Sequence, residues 1–117
     1  MHNFRNLEIW RKAIALSTEV YSVTKSFPAS EQFGLTSQIQ RAVVSVAANI
    51  AEGSARSSNK EFVHFLEFSL GSLYELETEL IVANNVGILD QSKFDNLSNK
   101  MTELEKMILS FKFTLQK

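Results

Sequence analysis

The chain has 117 residues, 44% hydrophobic and 21% charged, with nine Phe against one Pro and four Gly; this makes a single domain, residues 1–117, and favours long uninterrupted helices. A net charge of −1 argues against gripping nucleic acid mainly by phosphate neutralisation, and zero cysteines exclude disulfides, thiolate metal sites and cysteine nucleophiles. No stretch reaches the roughly 18–20 apolar residues of a membrane span, and "MHNFRNLEIW" has no apolar signal-peptide core, so a cytoplasmic protein with no membrane partner is expected.

A first helix is predicted from Leu7 to Ser26, with Trp10, Ala13, Ser17, Val20 and Thr24 along one line and Ile9, Ile14, Leu16 and Tyr21 widening it. Phe27-Pro28 ends it, because proline disfavours helical geometry at the residue before it. In "PASEQFGLTSQ", Ser30 and Glu31 start a turn, Gly34 interrupts it, and Thr36 or Ser37 is expected to cap a second helix running to about Ala55.

That second helix divides into three faces. Leu35, Ile39, Val43, Val46 and Ile50 make a core stripe; Val44, Ala47, Ala51 and Ala55 make a second apolar face of small side chains. Gln38, Arg41, Ser45, Asn49, Glu52 and Arg56 form a polar ladder at spacings of three and four.

Ser58-Asn59-Lys60-Glu61 matches a capping box and opens a third helix. Its seam is Phe62, Leu66, Ser69, Leu73, Leu76, Leu80 and Ala83, closed by a left-handed Gly87. Val63, Phe65, Phe68 and Leu70 fall off that seam and leave apolar surface on a lone bundle. Asp90 caps a fourth helix, with Phe94, Leu97, Met101, Leu104, Ile108, Phe111 and Leu115 in the same rhythm. Matching seams joined by a few residues pack antiparallel, so the fold is an all-α, up-down-up-down antiparallel four-helix bundle.

Each polar group with functional promise has a structural reading beside it. In the ladder, Glu52 and Arg56 stand in the favourable order for a helical ion pair, and Asn49 suits a register-fixing bond to a carbonyl or partner helix. Arg5, Arg11 and Lys12 gather around Trp10 and, with Arg41 and Arg56, are the candidates for nucleic acid, although Trp10 on the seam reads first as a buried anchor. Glu61, His64 and Glu67 make half of a di-iron pattern whose second half is absent, so no metal, cofactor or catalytic residue is assigned, and His2 is placed at a mobile terminus. Glu75, Glu77 and Glu79 read as a solvated acidic face, and Gly71 as a point of close helix packing.

Three stretches, "NLEIWRKAIAL", "SFPASEQFGLTSQIQRAVVSVAANIAEGSARSSNKEFVHFL" and "GSLYELETEL", resemble the bacterial 23S ribosomal RNA intervening-sequence proteins, from Phe4 to about Leu115. The most specific part is carried by Phe27, Pro28, Glu31, Phe33, Gly34, Leu35, Gln38, Ile39, Arg41, Ala42, Ser45, Asn49, Ile50, Ala51, Glu52 and Gly53. The resemblance implies a small up-and-down bundle assembled into a ring-like homopentamer, in a family whose biochemical role is not established. A related group, the accessory proteins of diversity-generating retroelements, is similar in fold and engages nucleic acid through a strongly basic surface; this chain departs from it in charge.

The expected function is therefore a non-enzymatic, homo-oligomeric interaction or scaffold protein with no small-molecule substrate, its subunits meeting through Val44, Ala47, Ala51 and Ala55. The alternative is an accessory protein binding structured RNA or DNA through a basic patch repeated around the oligomer, where avidity multiplies weak contacts.

Overall fold

The computed structural model describes residues 2–117. A 3-10 turn (Phe4–Asn6) leads into α1 (Glu8–Thr24), and a second (Ala29–Glu31) into α2 (Leu35–Ser54), followed by α3 (Asn59–Asn85) and α4 (Gln91–Leu115). Helix ends follow local hydrogen-bond chemistry. α1 stops two residues before the predicted Ser26 because the chain tightens there: the Phe27 N–H bonds the Thr24 carbonyl at 3.0 Å and tucks the Phe27 ring under the bundle.

The expected cap on α2 is corrected. Gly34, not Thr36 or Ser37, occupies the N-cap and has no side chain to give. The Glu31 carboxylate reaches forward from the preceding turn to the Leu35 N–H at 3.4 Å, while the Thr36 hydroxyl is buried without a partner. At α3 the Ser58 hydroxyl accepts from the Glu61 N–H at 3.2 Å as predicted. The return bond differs: the Glu61 carboxylate accepts from the Ser57 and Ser58 hydroxyls instead of the backbone. Gly87 closes α3 at φ +82°, and Asp90 caps α4 through the Lys93 N–H at 2.8 Å.

The helices form a square of antiparallel neighbours, α1–α2–α3–α4 and back to α1, with no diagonal pair in close approach among the described residues. The bundle measures 44 × 24 × 20 Å. Every seam residue of α3 is buried, as are Leu97, Met101, Leu104, Ile108 and Leu115 of α4. Val63 and Leu70, expected on an exposed patch, are buried too. α3 packs against α2 on one side and α4 on the other, so its buried arc is wider than a two-helix seam.

The contact between α2 and α3 is the most extensive in the molecule. Gly53 makes it possible: a Cβ there would lie 2.7 Å from the Phe65 Cβ and 2.8 Å from a Phe62 ring carbon. Close approach also lets the buried Ser69 hydroxyl donate across to the Val46 carbonyl at 2.8 Å. From the other side the Ser17 hydroxyl of α1 reaches the Val43 carbonyl at 3.2 Å, so α2 is held by a hydroxyl bond on each flank.

Close packing at Gly71 is not found, since a Cβ there would meet nothing within 4 Å. Nor is His2 loose. Its N–H bonds the Ser54 carbonyl at 3.0 Å and its ring stands edge-on to Phe62 and Phe111. No helix among the described residues is long and apolar enough to cross a membrane.

Candidate functional site

Antiparallel pairing of α2 with α3 brings the polar ladder against the acidic half of α3. Gln38, Arg41, Ala42 and Ser45 face Glu75 and Glu79 across a cleft of about 420 Å³. The ladder is not uniform along its length. The Ser45 hydroxyl donates to the Arg41 carbonyl at 2.9 Å and the Asn49 amide to the Ser45 carbonyl at 2.9 Å, so both are spent on their own helix. Gln38 and Arg41 remain exposed, and Arg41 is the one cation lining the cleft. Lower down, Glu52 pairs with Arg56 at 3.4 Å, and the Arg56 guanidinium lies 4.5 Å over the Phe65 ring.

Glu79 departs from the solvated reading. One of its carboxylate oxygens is buried without a hydrogen-bond partner. Burial first, then a hydrogen bond and charge repulsion from Glu75 one turn earlier, push its carboxyl up to about 7. Nothing in the spacing of α3 signals this, because it depends on how closely α2 lies against it. The cleft therefore holds a carboxyl that titrates near neutrality, facing a guanidinium, an amide and a hydroxyl. A carboxyl so poised suits acid–base work, but Ser45, the hydroxyl beside it, is turned into a backbone bond.

The basic candidates do not form one patch. The Arg11 Nε donates to the Arg5 carbonyl at 3.0 Å, Arg5 stacks on Phe4, and Arg5 shares a shallow cleft with Ala51, Ser54 and Ala55 at the end where α2 finishes. Arg56 lies at that same end. Lys12 turns to α4 and pairs with Glu103 at 3.3 Å. Arg41 lies thirteen residues before Ser54, the last residue of α2, about 20 Å at a helical rise, and so far from Arg56.

The small-residue face of α2 also divides. Ala47 is buried inside the protomer and Ala51 is half-covered beside the N-terminal residues His2 to Arg5, so part of this face is already used within one chain. Ala55 is exposed, as is Val44 at 45%. His64 faces Glu67 at 3.9 Å and packs its ring on Phe68, while Glu61 is engaged in capping. Among the described residues no three His, Asp or Glu side chains converge as a metal would require.

These features have counterparts in known proteins. The family model described as 23S rRNA-intervening sequence protein matches residues 5–110. A crystal structure of a protein of unknown function from the S23 ribosomal protein family of Bacteroides thetaiotaomicron superposes with a TM-score of 0.81 at 24% identity, covering 89% of this chain and 97% of that one. At that identity the likeness speaks for the fold. No curated protein matches. With the family model spanning all four helices and the bundle matching in shape, this chain belongs to the 23S rRNA-intervening sequence protein family.

Proposed function

We propose that this protein is a non-enzymatic, homo-oligomeric interaction scaffold acting in the cytoplasm, its subunits arranged as the ring of five that the family resemblance implies. One observation carries the reading: large apolar side chains stand on the outside of a bundle whose core is already filled. Ile14, Tyr21, Val44, Leu109 and Phe113 are each more than two-fifths exposed, although every helix has a buried stripe of its own. A monomer has no use for that surface, and self-association removes it from water.

Sedimentation of the wild-type chain at tens of micromolar tests this. A discrete species of several protomers is expected; a 13.2-kDa monomer throughout would overturn it. A second reading, docking of structured RNA, rests on Arg5, Arg11 and Arg56 sharing one end of the bundle. It predicts RNA retention at low salt that is lost steeply as salt rises, and no retention at low salt would end it.

A further inference from the structure

We infer that two opposite faces of the bundle, one along α1 and α2 and the other along α3 and α4, are the two halves of a single contact between copies of this chain. The inference rests on the self-assembly proposed above and adds which surface meets which. The square order of the helices puts the α1/α2 face directly opposite the α3/α4 face.

Along the outer line of α1, Ile14 and Tyr21 stand one heptad apart, and Val44 of α2 continues the strip. Ser17, between them in the sequence, bonds the Val43 carbonyl, which fixes this side of α1 toward α2. On the opposite side Tyr74 and Ile81 of α3 repeat the heptad step, and Leu109 and Phe113 of α4 complete the strip. Tyr74 and Leu109 flank the same groove, because the Tyr74 hydroxyl donates to Glu105 at 2.8 Å and Lys112 pairs with Glu67 at 3.1 Å.

Charge says what each strip wants. The α1 line runs Arg11, Ile14, Thr18, Tyr21, Lys25, cationic at both ends and without an acid. On the facing strip Glu105 and Glu77 both act on the Tyr74 hydroxyl, and Glu67 lies on the same line of α3. Lys112 is already paired with Glu67. Lys117 lies 5.3 Å over the Phe113 ring at the far end of this strip, but along Tyr74 the border is the carboxylates of Glu77 and Glu105; an apolar strip with basic ends complements that border, whereas two α1/α2 faces would set Arg11 and Lys25 against their own copies. Pairing unlike faces is head-to-tail, and it closes into a ring or continues as a filament.

The remaining two faces carry fewer exposed large apolar side chains. On α1/α4, Lys12 pairs with Glu103, and Glu19 takes both Lys100 and Asn96, so ion pairs lace this face beside a shallow groove lined by Leu7, Ile9, Met107 and Phe111. The α2/α3 face carries the polar cleft and, toward the start of α3, Phe65 with the half-exposed Phe68.

Two variants test the pairing, Val44→Glu on one face and Leu109→Glu on the other, each at an exposed side chain. Each alone is expected to be helical by circular dichroism and monomeric. Mixed in equal amounts they should form a species of twice the 13.2-kDa protomer and no larger, because each supplies the face the other lacks. If Leu109→Glu assembles as the wild type does, or if the mixture stays monomeric, the pairing of opposite faces is wrong while the assembly reading stands. If the wild type is itself a monomer, the assembly reading fails and this inference with it. Should either variant lose its helicity, Tyr21→Glu and Phe113→Glu make the same test at equally exposed positions.

Discussion

Glu79 shows how one residue can record the fit of two helices. On the sequence it is one of three glutamates at alternating positions, a pattern that belongs to solvated helix surfaces. In the folded chain α2 covers one of its oxygens and Glu75 crowds the carboxyl, with Arg41 and Gln38 lining the opposite wall. Its folded pKa of about 7 lies above the ordinary value of 4.5. Between those values the native state keeps a proton that the unfolded chain has released. The stability it brings is complete below the unfolded pKa and lost as pH rises through the folded one. Unfolding free energy measured by urea titration is therefore expected to fall between roughly pH 5 and 7.5. Glu79→Gln, neutral throughout, should remove most of that slope and be more stable than wild type at the upper end. Parallel profiles for the two proteins would mean that Glu79 is ionised in the native state across that range.

The helices themselves were legible because packing rewards a strict period. Every α3 seam position from Phe62 to Ala83 is buried, and Gly87 and Asp90 act as stop and start through backbone chemistry that is local in the chain. What was not legible depended on a neighbour. Glu31 caps α2 from the preceding turn, which no residue at Thr36 or Ser37 announces. The floor of the cleft could be named from the ladder Gln38, Arg41 and Ser45, but not its Glu79 wall, since a single helix cannot tell how near the next one comes. The two glycines of the helical segments make the same point. Gly71, read as the close contact, faces open space, and Gly53, one residue from the end of α2, holds that role. Gly53→Ala would push a methyl into the Phe65 Cβ, which is anchored to the α3 backbone and cannot swing aside. Overpacking of this kind costs about 1–3 kcal/mol, so Gly53→Ala should unfold at clearly lower urea. Gly71→Ala has room for its methyl and should gain about 0.5–1 kcal/mol from helix propensity. Equal midpoints for the two variants would show that α2 and α3 are not in close contact at Gly53.

At the scale of the whole molecule, the four faces of the square differ in character: one is laced with ion pairs beside a shallow apolar groove, one carries the polar cleft and Phe68, and two carry most of the exposed large apolar side chains. Internal packing accounts for none of the exposed apolar strips, because the core is complete without them. If those strips are covered by other copies, folding is coupled to assembly, and mass action makes stability depend on protomer concentration. Diluting the protein about a hundredfold should then lower Tm by on the order of 5 °C for a chain of this size, where a lone bundle would show no change. The surface responsible can be identified by the same measurement. Val44→Glu should make Tm independent of concentration, since it strips one face of the contact while leaving the protomer core untouched. Lys12→Glu on the α1/α4 face breaks a solvent-exposed pair with Glu103. It should shift Tm by less than about 1 kcal/mol would and keep the full dependence on concentration. If Lys12→Glu abolished that dependence and Val44→Glu preserved it, the copies would be meeting through the charged groove, and the apolar strips would need another partner.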